Sequence, residues 1–365
     1  LNQADYVAQN EKIIRSLPAY VGDYYLAKST VPLSPATLYQ YLNEFNRFFN
    51  WLIASGISQA ASVRQISLTE LEHLKKQDVE LYKSALLNRG KQTAKHPKGA
   101  LSHRTVNRSL NALSALFKYL TSESESANGE PYFYRNVMQK IALVRDGETY
   151  ATRTKAIKDQ LMLGDQDRNY LTFINTRYGQ NLDSRHQRYY ERDRERDVAI
   201  NALMLGTGIR VSELTNMDLK HLNLKNGSVQ IRRKGGKWDS VPIAKWVLPY
   251  IAEYLKIRQA RYLATEDTPA LFLTKGTAQP RRITTATVEL LVAKYSQAFN
   301  HVRITPHKLR HTLASKLYLE TKDEHLVATQ LGQSSTSATG LYTHVVDTKQ
   351  RAALDALHDN QKKPS

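Results

Sequence analysis

The sequence predicts a mainly α-helical chain with one small β-hairpin or sheet, folded as two domains. Three observations lead there. The 365 residues exceed what a single hydrophobic core usually serves. Apolar residues recur at helical spacing through residues 6–120, with no alternating run among them. In the second half, "GSVQIRRKGGKWDSVPI" alternates apolar and polar residues about a Gly-Gly turn, between stretches that otherwise read as helix.

Taken in order, "SPATLYQYLNEFNRFFNWLIASG" opens on a Ser34-Pro35 helix start. It carries apolar residues at Leu38, Leu42, Phe45, Phe49 and Leu52 and stops at Gly56. "LTELEHLKKQDVELYKSALLNRG" reads as one further helix ending at Gly90. The basic loop "KQTAKHPKG" follows, then a helix with a stripe at Val106, Leu110, Leu113 and Leu120. Four or five short helices are expected here. "SESESANGEP" is a polar, turn-rich break, and "RDGETYATRTKAIKD" has no apolar period. The expected division is a helical domain over 1–143, a linker over 144–158, and a mixed, mainly helical domain over 159–365.

In the second domain "RHQRYYERDRERD", residues 185–197, holds five arginines and four acids of alternating sign, and is read as a solvated helical face. A buried helix, "DVAINALMLGTG", runs from it into "IRVSELTNM". After the hairpin, helices are expected at about 246–263, 285–299, 306–320 and 323–331.

Composition narrows the function. Lys and Arg total 52 against 34 acidic residues, a net charge of +18, which favours a polyanionic partner. Without cysteine there is no disulfide, thiolate nucleophile or cysteine zinc site. The sequence has no long apolar run and no basic helix suited to lying on lipid, so no membrane association is expected. The first residues lack the layout of a secretion signal, and a cytoplasmic, nucleoid-associated protein is the expectation.

Several side chains could carry chemistry. In "ITPHKLRHTLASKLYL", Thr305-Pro306 starts a helix whose buried stripe would be Leu309, Leu313 and Leu317. His307 and Arg310 then project together beside the stripe, near an anion-favouring N-terminus. The plainer reading is a capped surface helix. His307 and His311 have zinc-helix spacing but no carboxylate between them. In "GTGIRVSEL", two glycines let the chain turn tightly before Arg210, with Glu213 one turn on to orient it or to favour the helix start. Lys234 and Lys237 flank the hairpin tip, where an ammonium can enter a groove and protonate a leaving alkoxide, or simply be solvated. Tyr342 is either a packed aromatic or, with its phenolate stabilised by nearby cations, a nucleophile. Together Arg210, Lys234, His307, Arg310 and Tyr342 make a phosphoryl-transfer set needing neither metal nor cofactor.

This arrangement resembles the tyrosine recombinase (phage-integrase-like) family, whose signature is Arg, Lys, His-x-x-Arg, His or Trp, then Tyr. "GTGIRVSEL", "RKGGKWDSVPI", "TPHKLRHTLA" and "LGQSSTSATGLYTH" follow it in order and spacing. "YLNEFNRFFNWLIASGIS" and "GEPYFYRNVM" look most like the single-subunit Xer branch. The resemblance implies a helical core-binding domain and a mixed catalytic domain, closing as a C-shaped clamp on double-stranded DNA. It implies that Arg210 and Arg310 clamp the scissile phosphate with help from His307. Lys234 would protonate the leaving 5′-oxygen, and Tyr342 would form a 3′-phosphotyrosyl link. Two copies would bind each site and four would form the synapse, exchanging a C-terminal segment around Ala353, Leu354 and Leu357. Chromosome-dimer resolution at a dif-like site, helped by the FtsK translocase, is the implied task. Gln333 departs from the pattern: its amide can donate a hydrogen bond but cannot carry charge. Softer candidates for DNA contact are Lys95, Lys98, Arg104, Asn107, Arg108, Lys237, Arg281 and Arg282. An integrase or transposon recombinase with another target, a type IB topoisomerase, and a DNA-binding protein without catalysis remain as alternatives.

Overall fold

The computed structural model describes residues 3–31, 33–89, 101–145, 160–233, 236–276 and 279–333. The chain forms two compact units, Leu1–Gly147 and Glu148–Ser365. Both are mostly helical among the described residues. No helix there is long and apolar enough to cross a membrane.

The first unit packs α1 (Gln3–Ile14), α2 (Ala19–Ser29), α3 (Pro35–Ala54), α4 (Leu68–His73), α5 (Lys76–Asn88) and α6 (His103–Lys118) around one core. Ser34 caps α3 by accepting from the Thr37 amide, with Pro35 in the first turn, where a missing N–H costs nothing. The expected stripe of Leu38, Leu42, Phe45, Phe49 and Leu52 is buried, as are Val106, Leu110, Leu113 and Leu120. The single helix expected over "LTELEHLKKQDVELYKSALLNRG" is two. A reciprocal Ser67–Glu70 capping box starts α4. The carboxylate of Asp78 then accepts from the Lys75 amide at 2.8 Å and opens α5, so the chain turns at Leu74 and Lys75.

The second unit is threaded by a 24-residue helix. Around α8 (Ser184–Thr207) lie α7 (Gln166–Thr172), the short α9 (Val211–Thr215), α10 (Leu248–Tyr262), α11 (Thr285–Asn300), α12 (Pro306–Thr321) and α13 (Glu324–Leu331). An antiparallel sheet of β1 (Leu222–Asn223), β2 (Ser228–Arg232) and β3 (Trp238–Pro242) includes the expected hairpin, in a register that pairs Val229 with Val241 and Ile231 with Asp239. A second antiparallel pair joins β4 (Leu273–Thr274) to β5 (Arg281–Arg282).

The charged stretch 185–197 is a solvated face only in its first half, where Arg185, Arg188 and Glu191 are exposed. Asp193, Arg196 and Asp197 are buried, because Tyr190, Asp193, Asp197 and Asn201 fall at three- and four-residue steps on the inner side of α8. Buried charges need partners, and these have them. The Arg196 guanidinium meets Asp197 at 2.6 Å and Asp193 at 3.2 Å. The phenols of Tyr295 and Tyr262 donate to Asp197 at 2.8 Å and Asp193 at 2.9 Å.

Candidate active site

Helix α8 ends on Gly208, whose left-handed φ of 68° turns the chain out of the helix and toward Arg210. Arg210 is the residue before α9. Its backbone amide donates to Glu213 Oε2 at 2.7 Å, and its Nη1 to Glu213 Oε1 at 2.8 Å. The Glu213 side chain is buried while that of Arg210 is 37% exposed, so Glu213 holds the backbone and one guanidinium nitrogen of an arginine that otherwise meets solvent. Glu213 fills both roles open to it in the sequence: the amide contact starts α9 and the Nη1 contact orients Arg210.

Arg310 comes to the same place from α12. It is 2% exposed, on the buried side of the helix with Pro306 and Ala314, rather than beside a Leu309–Leu313–Leu317 stripe; Leu313 and Leu317 are only half-buried. Its Nη1 donates to the Gly208 carbonyl at 2.6 Å and its Nη2 to the Leu331 carbonyl at 2.7 Å. Gly208 and Leu331 end α8 and α13, so Arg310 takes up carbonyls that helix ends leave unsatisfied. Two bonds from separate nitrogens set the plane of the guanidinium.

His307 lies one turn before Arg310. Loss of surrounding water, then the charges of Arg310, Lys308 and Arg210, hold its imidazole below the usual histidine range. Both arginines are among those charges, and together with burial they favour the neutral ring. His311 packs edge-on against it, with ring centroids 4.4 Å apart. Burial, helped by His307, Lys308 and Arg310, pushes His311 down to about 3. Among the described residues, no group of three or more His, Asp or Glu converges to hold a metal ion.

Helix α13 closes on Gly332, again left-handed with φ 60°, and the next residue is Gln333. The Gln333 amide donates to the Ala328 carbonyl at 2.9 Å, while its buried side-chain Oε1 has no hydrogen-bond partner among the described residues. The structure therefore brings Arg210, His307 and Arg310 together and delivers the chain to Gln333 beside the Leu331 carbonyl that Arg310 holds. Lys234 and Tyr342 lie outside the described residues, as do Lys95, Lys98 and the segment with Ala353, Leu354 and Leu357.

The remaining candidates divide. Arg104 and Arg108 are exposed four apart on α6, and Lys237 and Arg281 are exposed in the second unit. Asn107 is only half-buried, and its amide is used inside the fold. It donates to the Val144 carbonyl and accepts from the Val144 amide, both at 2.8 Å. Arg282 is also occupied internally: Nη1 donates to the carbonyls of Thr215 and Met217 at 3.1 Å, and Nη2 pairs with Asp218. Both residues therefore have a structural use within their own unit.

Sequence reasoning missed Arg233. Its side chain is 9% exposed and bonds to Glu213, Asp239 and the end of α13. A signal was present. Period two carried on from the buried Val229 and Ile231 puts position 233 on the inner face of the sheet, where an unpaired arginine would be costly.

Two guanidinium groups whose charges both act on one imidazole suit a phosphodiester, whose nonbridging oxygens gain charge during displacement. Comparison with known proteins agrees with that chemistry. The profile of the phage integrase family matches residues 180–349. Tyrosine recombinase XerS of Streptococcus sanguinis (strain SK36) is 47% identical over 347 residues, spanning 95% of this chain and 97% of its own. XerS of Streptococcus uberis is 48% identical over 341 residues, 93% of this chain and 96% of its own. Among solved structures, the XerH site-specific recombinase in a post-cleavage complex with a palindromic difH substrate superposes with a TM-score of 0.60. The two are 20% identical, over 89% of this chain and 80% of that one. A lambda integrase dimer on a COC' core site superposes at 0.56 with 14% identity, covering 90% and 96% of the two chains. At these identities the superpositions speak for the fold.

Proposed function

This chain belongs to the tyrosine recombinase, or phage integrase, family and is a site-specific DNA strand-exchange enzyme, and we propose that it recombines double-stranded DNA at a dif-like site to resolve chromosome dimers. Identity of 47% to XerS along nearly the whole chain supports the Xer assignment over an integrase or transposon role. One observation carries the chemical reading: Arg210, His307 and Arg310 come together where α8 and α13 end and α9 begins.

In the proposed reaction the Tyr342 oxygen attacks the scissile phosphorus. The bond from phosphorus to the tyrosine oxygen forms, and the bond to the 5′-oxygen breaks. Neutral His307 accepts the phenolic proton, and the Lys234 ammonium gives a proton to the departing 5′-oxygen. Arg210 and Arg310 hold the charge that builds on the nonbridging oxygens. Gln333 donates a neutral hydrogen bond where the family signature has His or Trp. The 3′-phosphotyrosyl link keeps the bond energy, so a second 5′-hydroxyl can reverse the step on another strand without a nucleotide cofactor.

A net charge of +18 supports a long DNA footprint and a steep loss of affinity with salt. Arg104 and Arg108, with Lys95 and Lys98, are proposed to contact the backbone from the helical unit, and Lys237 and Arg281 from the catalytic unit. Two copies on each site, four in the synapse, and activation by an FtsK-type translocase complete the proposal. The test is covalent trapping on nicked dif-like duplexes, which also maps the cleaved bond. An adduct that vanishes in Tyr342→Phe supports the reading. Specific binding without any adduct refutes it in favour of a DNA-binding protein that does not cleave.

A further inference from the structure

Arg233 lies at the root of the β2–β3 hairpin, immediately before Lys234, on a face whose preceding members are Val229 and Ile231. Its guanidinium reaches three other stretches of chain. Nε donates to Asp239 Oδ2 at 2.9 Å, on the facing strand. Nη1 donates to Glu213 Oε2 at 3.3 Å and to the Leu331 carbonyl at 3.2 Å. Nη2 donates to the Gln330 carbonyl at 3.3 Å. Its backbone amide closes the hairpin on the Lys237 carbonyl at 2.8 Å.

These partners are not scattered. Glu213 is the carboxylate that holds Arg210, and the Leu331 carbonyl is the acceptor that holds Arg310. One buried side chain thus ties the base of the hairpin to the seats of both arginines. A hydrophobic residue of similar volume commonly serves stability as well as a buried ion pair does. What an aliphatic side chain cannot supply is a fixed distance between three separate segments.

We infer that Arg233 is a positioning residue for strand cleavage, setting where Lys234 begins relative to the arginine pair. The inference rests on the reading of Lys234 as the acid that protonates the leaving group. It places no atom of Arg233 on the DNA.

The experiment measures single-turnover cleavage of two suicide duplexes carrying the mapped site. One has the normal scissile phosphate and the other a 5′-bridging sulfur. With sulfur, the bond from phosphorus to the tyrosine oxygen forms and the phosphorus–sulfur bond breaks. The sulfur leaves as a thiolate and needs no proton, so a defect confined to the acid disappears. Lys234→Ala is the reference. Arg233→Lys keeps a cation beside Glu213 and Asp239 but cannot span all four acceptors, and Arg233→Met serves as a second variant of similar volume. Both should cleave the oxygen substrate on the order of 10- to 100-fold more slowly than wild type, and the sulfur substrate within about threefold of it. Wild-type cleavage of the oxygen substrate by both variants would overturn the inference. So would a defect that sulfur relieves in Lys234→Ala but not in either Arg233 variant. If sulfur fails to relieve Lys234→Ala itself, the acid assignment falls first and the role of Arg233 falls with it.

Discussion

Replacing Gly332 with alanine is expected to do far more than one methyl group suggests. The residue sits at φ 60°, where an L side chain costs about 1–2 kcal/mol. A Cβ there would lie 2.8 Å from Nη2 of Arg233, and closer still to its Cζ and Nε. The guanidinium would have to retreat by more than half an ångström to reach ordinary contact. It is held by Asp239, Glu213 and two backbone carbonyls, and any retreat loosens some of these bonds. Losing one charge-assisted bond costs about 1.5–3 kcal/mol, so Gly332→Ala should destabilise the catalytic unit by about 3–5 kcal/mol. In a unit of this size that lowers its melting transition by roughly 10 °C. Gly164→Ala is the internal control: φ is 59°, and an added Cβ would meet nothing within 4 Å, so it pays only the conformational part. Melting of the full chain is followed by circular dichroism, alongside covalent trapping on DNA. Equal shifts for the two variants would refute the argument that Arg233 is fixed at this contact.

Arg310→Lys should lower single-turnover cleavage by about 100- to 1000-fold, because one ammonium cannot hold the Gly208 and Leu331 carbonyls in a single plane; a defect under about fivefold would count against the clamp. Gln333→His should raise cleavage up to about tenfold, since a charge-assisted bond would replace a neutral one; an unchanged rate means the amide already donates as well. His311 yields a pH effect on stability. Its folded-state value is pushed down to about 3, from an unfolded value near 6.5, so the fold favours the neutral ring. Its contribution is complete above pH 6.5 and is lost as pH falls from 6.5 toward 3, with a slope of up to about 1.4 kcal/mol per pH unit. Urea unfolding at several pH values should give a shallower acid slope for His311→Gln than for wild type, and identical slopes would contradict the assignment.

Helices whose burial follows their own spacing were legible from sequence. Leu38, Leu42, Phe45, Phe49 and Leu52 mark one face of α3, and Ser34-Pro35 marks its start, because both signals are local. The turn between α4 and α5 was hidden because apolar spacing continues across it, and only the reach of the Asp78 carboxylate to the Lys75 amide breaks the helix. Charge pattern misled over 193–197, though not over the exposed residues before them. Alternating signs describe composition along the chain, while burial is decided every third or fourth residue, and there Asp193 and Asp197 found partners on α10 and α11. At the site, residue types and order pointed to Arg210, His307 and Arg310. The carbonyls that aim Arg310 come from residues more than a hundred positions before it and about twenty after, and no local pattern encodes such a meeting.

The ionic knot inside α8 also fixes that helix in rotation and in height. Inserting one residue between Asp193 and Asp197 would swing everything beyond it by about 100°, and no new phase would offer acids to both Tyr262 and Tyr295. Gly208, at the far end of the same helix, would swing with it and carry away the oxygen that Arg310 needs. The knot acts as an indexing pin: an error in the middle of the rod would be felt about ten residues away, at the carbonyl that aims Arg310.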